Sequence, residues 1–149
     1  DVGKPELYDI TITTDTDDLL DRTGFRKVEI IDKKVSLNGK PCELLGVNRH
    51  EEHPDWGMAF PAGLMHRDLE IIEDLGCNTV RGSHYPQSRI FVDMLDEMGF
   101  MVMCENFDEW DIAKCRNGYH RFFNEDSGDG RIWAERDMEN MLHNWRNNP

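Results

Sequence analysis

The sequence predicts an α/β fold built on a parallel sheet. Three observations carry that prediction. Short strand-like segments at residues 44–47, 77–81 and 100–104 alternate with segments of helical apolar spacing at residues 64–75 and 90–98. Alternation of this kind is the mark of crossover units whose strands run parallel. The run Phe100-Met101-Val102-Met103-Cys104 is apolar throughout, as expected of a parallel strand covered on both faces. Each run also ends in polar residues, at Asn48-Arg49-His50-Glu51-Glu52-His53, at Arg81-Gly82-Ser83-His84 and at Glu105-Asn106. Ligand sites in such sheets gather at the carboxyl ends of the strands.

The elements follow in order. Leu7-Tyr8-Asp9-Ile10-Thr11-Ile12-Thr13 alternates apolar and polar residues and predicts a half-buried antiparallel strand. The acidic run over residues 14–21 reads as a turn. A lone strand is not stable, so this one needs partners, either later in the chain or outside it. Val28, Ile30, Val35 and Leu37 alternate with charged or polar residues around Asp32-Lys33-Lys34 and predict a hairpin. Asn38-Gly39 is a tight-turn dipeptide, because both residues tolerate positive φ. It leads into the strand that ends at His50. A loop over residues 55–61 precedes a helix with Leu64, Met65, Ile72 and Leu75 on one face. Gly76 suits the position just past its end. The strand 77–81 follows, then a second helix with Ile90, Phe91, Met94, Leu95 and Met98 apolar, closed by Gly99. Residues 116–130 form a long loop rich in aromatic residues, Asn and Gly, of a length that tends to be functional or mobile. A last helix is predicted over residues 131–146, with Trp133, Met138, Met141, Leu142 and Trp145 apolar.

Length and charge bound the function. The 149 residues suffice for one ordinary domain, and the net charge is −13 with basic residues scattered. A nucleic-acid backbone needs a clustered basic face, so nucleic acid is excluded as a partner. An anionic membrane surface is excluded on the same ground, and no apolar run approaches the roughly 20 residues of a membrane helix. The first residues carry no basic segment leading into an apolar one, which leaves the compartment open. Cys42, Cys77, Cys104 and Cys115 form no C-x-x-C pair, so core packing is expected over disulfide or zinc chemistry.

If the three strands are neighbours, His50, Arg81, His84 and Glu105 converge on one mouth. Arg offers a planar fork of donors, His a donor–acceptor pair and Glu an acceptor. A polyhydroxylated ligand needs this mixture, since every hydroxyl both donates and accepts. Trp56, Tyr85, Trp110 and Tyr119 are available to stack on a sugar face, although Trp110 and Tyr119 serve equally well as packing for their own loop. His50-Glu51-Glu52-His53 falls short of H-E-x-x-H, because its histidines are three residues apart and Pro54 follows. No phosphate-binding glycine loop and no G-x-S-x-G elbow is present.

Leu45-Gly46-Val47-Asn48-Arg49-His50-Glu51, with His53-Pro54 after it, resembles the first barrel strand of glycoside hydrolase family 2. The run Gly76-Cys77-Asn78-Thr79-Val80-Arg81-Gly82-Ser83-His84-Tyr85-Pro86 is similar to its second. Phe25-Arg26-Lys27-Val28-Glu29 and Leu37-Asn38-Gly39-Lys40 resemble that family's entry into the catalytic domain. The resemblance implies the first three β-α units of a (β/α)8 TIM barrel over residues 24–149. Residues 1–23 would then be the last strand of an immunoglobulin-like β-sandwich domain. It also implies the family's chemistry, a retaining hydrolysis of terminal β-linked sugars, with β-galactosidase favoured over β-glucuronidase by the loop around Phe107-Asp108-Glu109-Trp110.

By resemblance, His50, Arg81, His84 and Glu105 bind substrate, with Trp110 added as a ring able to stack on the sugar, and carbohydrate is the partner. Glu109 falls near a position that holds magnesium in some β-galactosidases, so a magnesium ion is allowed but not required. The neighbouring family histidine is Asp111 here. Retaining glycosidases use two carboxylates about 5–5.5 Å apart. In the family both come from the fourth strand and beyond, so both are expected after Pro149, and no catalytic residue is expected within these 149 residues. A complete barrel takes about 250 residues. The family also allows a homo-oligomer. Two other readings compete: a carbohydrate-binding piece without catalysis, and a structural piece whose unpaired sheet edges seek a partner.

Overall fold

The computed structural model describes residues 2–149. They form three small sheets and four helices. Strand β1 (Tyr8–Thr13) pairs antiparallel with β2 (Asp18–Thr23). The acidic run read as a turn is therefore shorter than expected. Thr14 and Asp17 close the turn, and Asp18 already opens a strand. The missing partner of the N-terminal strand is this neighbouring segment. It was illegible because Asp18-Leu19-Leu20-Asp21-Arg22 lacks strict alternation. Ile10, Ile12, Leu19 and Leu20 remain exposed on the hairpin.

Strands β3 (Val28–Ile31), β4 (Lys34–Leu37) and β5 (Lys40–Pro41) make an antiparallel meander. Asp32 and Lys33 both take positive φ, so the first turn is a two-residue loop of the type whose twist matches a hairpin. Asn38 and Gly39 do the same at the second turn, as the dipeptide predicted. Asn38 adds a side-chain acceptor for the Lys27 amide, 2.8 Å away.

The third sheet holds the candidate site. Strands β6 (Gly46–His50), β7 (Thr79–Ser83) and β8 (Met101–Met103) run parallel in that order, with Val47 opposite Val80 and Val80 opposite Val102. Helix α1 (Ala62–Asp74) connects the first two strands and α2 (Arg89–Met98) the next two. A short α3 (His120–Phe123) lies inside the long loop, and α4 (Trp133–Trp145) follows.

The two faces of this sheet differ, as the period-2 geometry of a strand demands. Val47, Val80 and Val102 point to the helices and pack with Phe60, Met65, Leu69, Ile72, Phe91, Leu95 and Phe100. The other face carries Asn48, His50, Arg81 and Met103, and Met103 is half exposed. The expectation that residues 100–104 are covered on both faces therefore fails at Met103, because α1 and α2 cover only one side. The helix faces also shift slightly. Leu69 is fully buried whereas Leu75, past the last turn of α1, is exposed. Val92 is buried and Ile90 exposed. Gly99 ends α2 in the left-handed conformation (φ 77°), where a Cβ would be strained. All four cysteines are free, and Cys77 packs against the core as expected. Cys115 is exposed and does not.

Helix α2 also holds a half-buried titratable group. Asp96 accepts a hydrogen bond from Asn148 Nδ2, while Arg26 Nε donates to the Asn148 carbonyl at 2.9 Å. Burial pushes the Asp96 carboxyl up to about 6, against the Asn148 bond that would lower it. A raised carboxyl binds its proton more tightly in the folded state than in the unfolded chain. Its contribution to stability is therefore fully present below the unfolded pKa and is lost as pH rises through about 6. Asp96→Asn is expected to raise the melting temperature at pH 7 and to lose that advantage towards pH 4. Thermal melts of both chains across this range check it, and an advantage independent of pH would contradict it.

Candidate functional site

Strand register brings the polar ends together. His50 stands opposite Ser83, and Arg81 opposite Met103, two residues before Glu105. Arg81 Nε donates to Glu105 Oε1 at 2.5 Å, and the guanidinium Nη2 reaches the same oxygen. His84 Nδ1 lies 3.0 Å from Glu105 Oε2. The His50 and His84 rings meet edge to face, with centroids 5.0 Å apart and planes at 79°. The Ser83–His84 peptide is cis. Four of the five sequence-predicted site residues thus form one contiguous cluster. Glu105 has both oxygens committed to its neighbours, so it orients Arg81 and His84.

Trp110 is not part of that cluster. It is exposed, and no ring contact or hydrogen bond ties it to the other four. Tyr119 stacks on Phe107, with centroids 4.5 Å apart, and Phe123 closes on both rings. It also donates to Asp137 of α4. Burial and that bond push its hydroxyl pKa up. Tyr119 therefore serves its loop, which is the packing role that the sequence left open.

Beneath the cluster lies an arrangement that the sequence did not reveal. Asn48-Arg49-His50-Glu51 reads as a polar fan at a strand end, yet Arg49 is only 5% exposed. Its parity on β6 turns it to the helix side, opposite to His50. Its guanidinium carbon lies 4.0 Å from the Phe91 ring centroid and 5.0 Å from that of Phe60. Nε donates to Asp68 Oδ2 at 3.0 Å and Nη1 to Gln87 Oε1 at 3.4 Å, with Glu51 3.7 Å away. Ser88, the cap of α2, donates to Glu51 at 3.2 Å. Gly82 leaves room for this, since a Cβ there would meet the Gln87 side chain at 2.6 Å. The only sequence signal was period 2: odd positions of β6 face the helices.

Glu109 is also buried, at 3% exposure. His120 Nδ1 bonds its Oε2, the His120 amide donates to the same oxygen at 3.4 Å, and the Cys115 thiol donates to Oε1 at 3.2 Å. Burial works against the charged carboxylate, but these donors outweigh it and hold Glu109 down to about 2. Magnesium demands an octahedron of oxygen ligands, several of them waters. Glu109 is met instead by an imidazole, an amide and a thiol, which do not fit that ion. Among the described residues, no group of three or more His, Cys, Asp or Glu is placed to hold a metal.

The parallel β6–β7–β8 sheet thus gathers His50, Arg81, His84 and Glu105 at the carboxyl ends of its strands. Residues 28–149 match the family model described as glycosyl hydrolases family 2, TIM barrel domain, and the chain belongs to that family. The match begins after the β1–β2 hairpin. The chain is 34% identical to the β-galactosidase BoGH2A of Bacteroides ovatus, with all of this chain aligned to 17% of that protein. The crystal structure of Parabacteroides merdae β-glucuronidase superposes with a TM-score of 0.76 at 32% identity, covering 100% of this chain and 18% of that one. The family 2 β-galacturonidase of Eisenbergiella tayi, solved with galacturonate, gives a TM-score of 0.65 at 45% identity over 68% of this chain and 19% of its own. The chain thus spans less than a fifth of each of these relatives.

Proposed function

We propose that this chain forms one wall of the sugar-binding mouth of a retaining exo-glycosidase that acts on terminal β-linked sugars, a β-galactosidase in preference to a β-uronidase. The observation that carries this is the Glu105 carboxylate shared between Arg81 and His84, with His50 edge-on to His84. Such a cluster presents fixed donors and acceptors to ring hydroxyls. The Arg81 charge is already neutralised by Glu105, which suits a neutral hexose better than a uronate carboxylate. The runner-up is β-uronidase action, favoured by the named solved relatives.

The two carboxylates of retaining chemistry belong, in this reading, to later strands of the barrel, and the β1–β2 hairpin to a neighbouring β-sandwich domain. Glu105 is the one carboxylate in the cluster, and both of its oxygens are engaged by Arg81 and His84. The 149-residue chain is therefore expected to bind sugar weakly and to turn over none. Titration with galactose and with glucuronate, followed through the His50 and His84 ring resonances, tests the binding. Larger shifts with glucuronate would favour the runner-up, and no shift with either would remove the proposal. Release of nitrophenol from a β-galactoside by the chain, freed of contaminating enzyme, would overturn the assignment of roles.

A further inference from the structure

The loop between Glu105 and α4 is held by one buried side chain that the sugar cluster does not use. Glu109 is wedged against Gly118, where a Cβ would overlap both carboxylate oxygens. Both of its oxygens are engaged, Oε2 by His120 and Oε1 by Cys115, which lie eleven and six residues further on. The segment from Glu109 to His120 is therefore closed into a ring by its own side chains. The stack of Phe107, Tyr119 and Phe123, with Tyr119 bonded to Asp137, fixes the ring to α4. Trp110 follows the buried carboxylate directly and is 69% exposed.

We infer that Glu109 is a positioning residue that clasps this loop through His120 and Cys115 in place of a magnesium ion, and thereby fixes the segment that carries the exposed Trp110. The physical argument is one of occupancy. A carboxylate whose oxygens already accept from imidazole, amide and thiol donors has little left to offer a hydrated ion. Gly118 packs so close against the same carboxylate that a Cβ there would overlap it. An isolated buried carboxylate is costly, so loss of these donors would drive the loop open. The clasp does not rest on the sugar-binding reading above.

The test uses the whole 149-residue chain and reads the loop, not the sugar. The Trp110 indole resonance, assigned with Trp110→Phe, is followed in millimolar magnesium chloride and then in EDTA. The expectation is no change. Limited proteolysis within residues 107–124 is expected to be about tenfold faster in Glu109→Ala, the loss of roughly one charge-assisted hydrogen bond. Should Glu109→Ala fail to fold, Gly118→Ala displaces the same carboxylate and is expected to loosen the same segment. A saturable magnesium shift that disappears in Glu109→Gln would overturn the inference, as would unchanged cleavage in the variants that fold. Failure of sugar to move His50 or His84 would count against the sugar-binding reading alone and leave the clasp intact.

Discussion

Arg49→Ala is expected to destabilise the chain by about 2–5 kcal/mol, the usual consequence of truncating a large buried side chain to alanine. Urea unfolding followed by circular dichroism measures it. Arg49 lies between the rings of Phe60 and Phe91 and bonds both Asp68 and Gln87. Truncation therefore removes stem packing, ring contacts and the counter-charge of Asp68 together. Arg49→Lys should recover little, because an ammonium cannot present a planar fork to Asp68 and Gln87 while stacking on Phe91. Arg49→Met, which refills the space without the charge, should fall between the two. A loss below about 1 kcal/mol for alanine, the range of exposed ion pairs, would show that Arg49 is solvated and not a brace.

Glu105→Ala is expected to disconnect the mouth while leaving the fold standing. Glu105 ties Arg81 on β7 to His84 beyond it, and its side chain is partly exposed. Without it, Arg81 swings free and His84 loses the partner that fixes its ring. Hydrogen bonds to charged groups contribute about 1.5–3 kcal/mol each, so galactose affinity should fall roughly tenfold to a hundredfold. The readouts are the sugar titration and the His84 ring resonances, whose Nδ1 proton should exchange faster in the variant. Glu105→Gln should restore part of the geometry, since an amide oxygen can still accept from Arg81. Unchanged affinity in Glu105→Ala would show that the cluster does not bind the sugar.

The fold was legible to the extent that each element carries its own local reason. The parallel sheet followed from alternation of strand-like segments with helical periods. Gly76, Gly99 and Asn38-Gly39 marked their turns because left-handed backbone selects those residue types. The second strand of the N-terminal hairpin was not legible, since Asp18-Leu19-Leu20-Asp21 lacks period 2 and is ordered by pairing with β1. Leu75 looked like core by spacing, yet α1 stops one residue earlier and leaves it in solvent.

The candidate site divides along the same line. His50, Arg81, His84 and Glu105 could be named from the sequence, because strands of a parallel sheet deliver their carboxyl ends to one edge whatever the details of packing. Trp110 was named on residue type alone, and its place depends on a loop that no local rule predicts. By itself, the sequence determined the parallel βαβ frame, the family and which residues stand at the carboxyl ends of the strands. Only the tertiary structure decided that Arg49 turns under the helices while His50 turns to the mouth, that Glu105 orients its neighbours, and that Glu109 is claimed by His120 and Cys115. Each of these depends on which groups meet across long stretches of chain inside a dry interior. There an unpaired charge is too costly to stand alone, so partners set a residue's role more than its own type does.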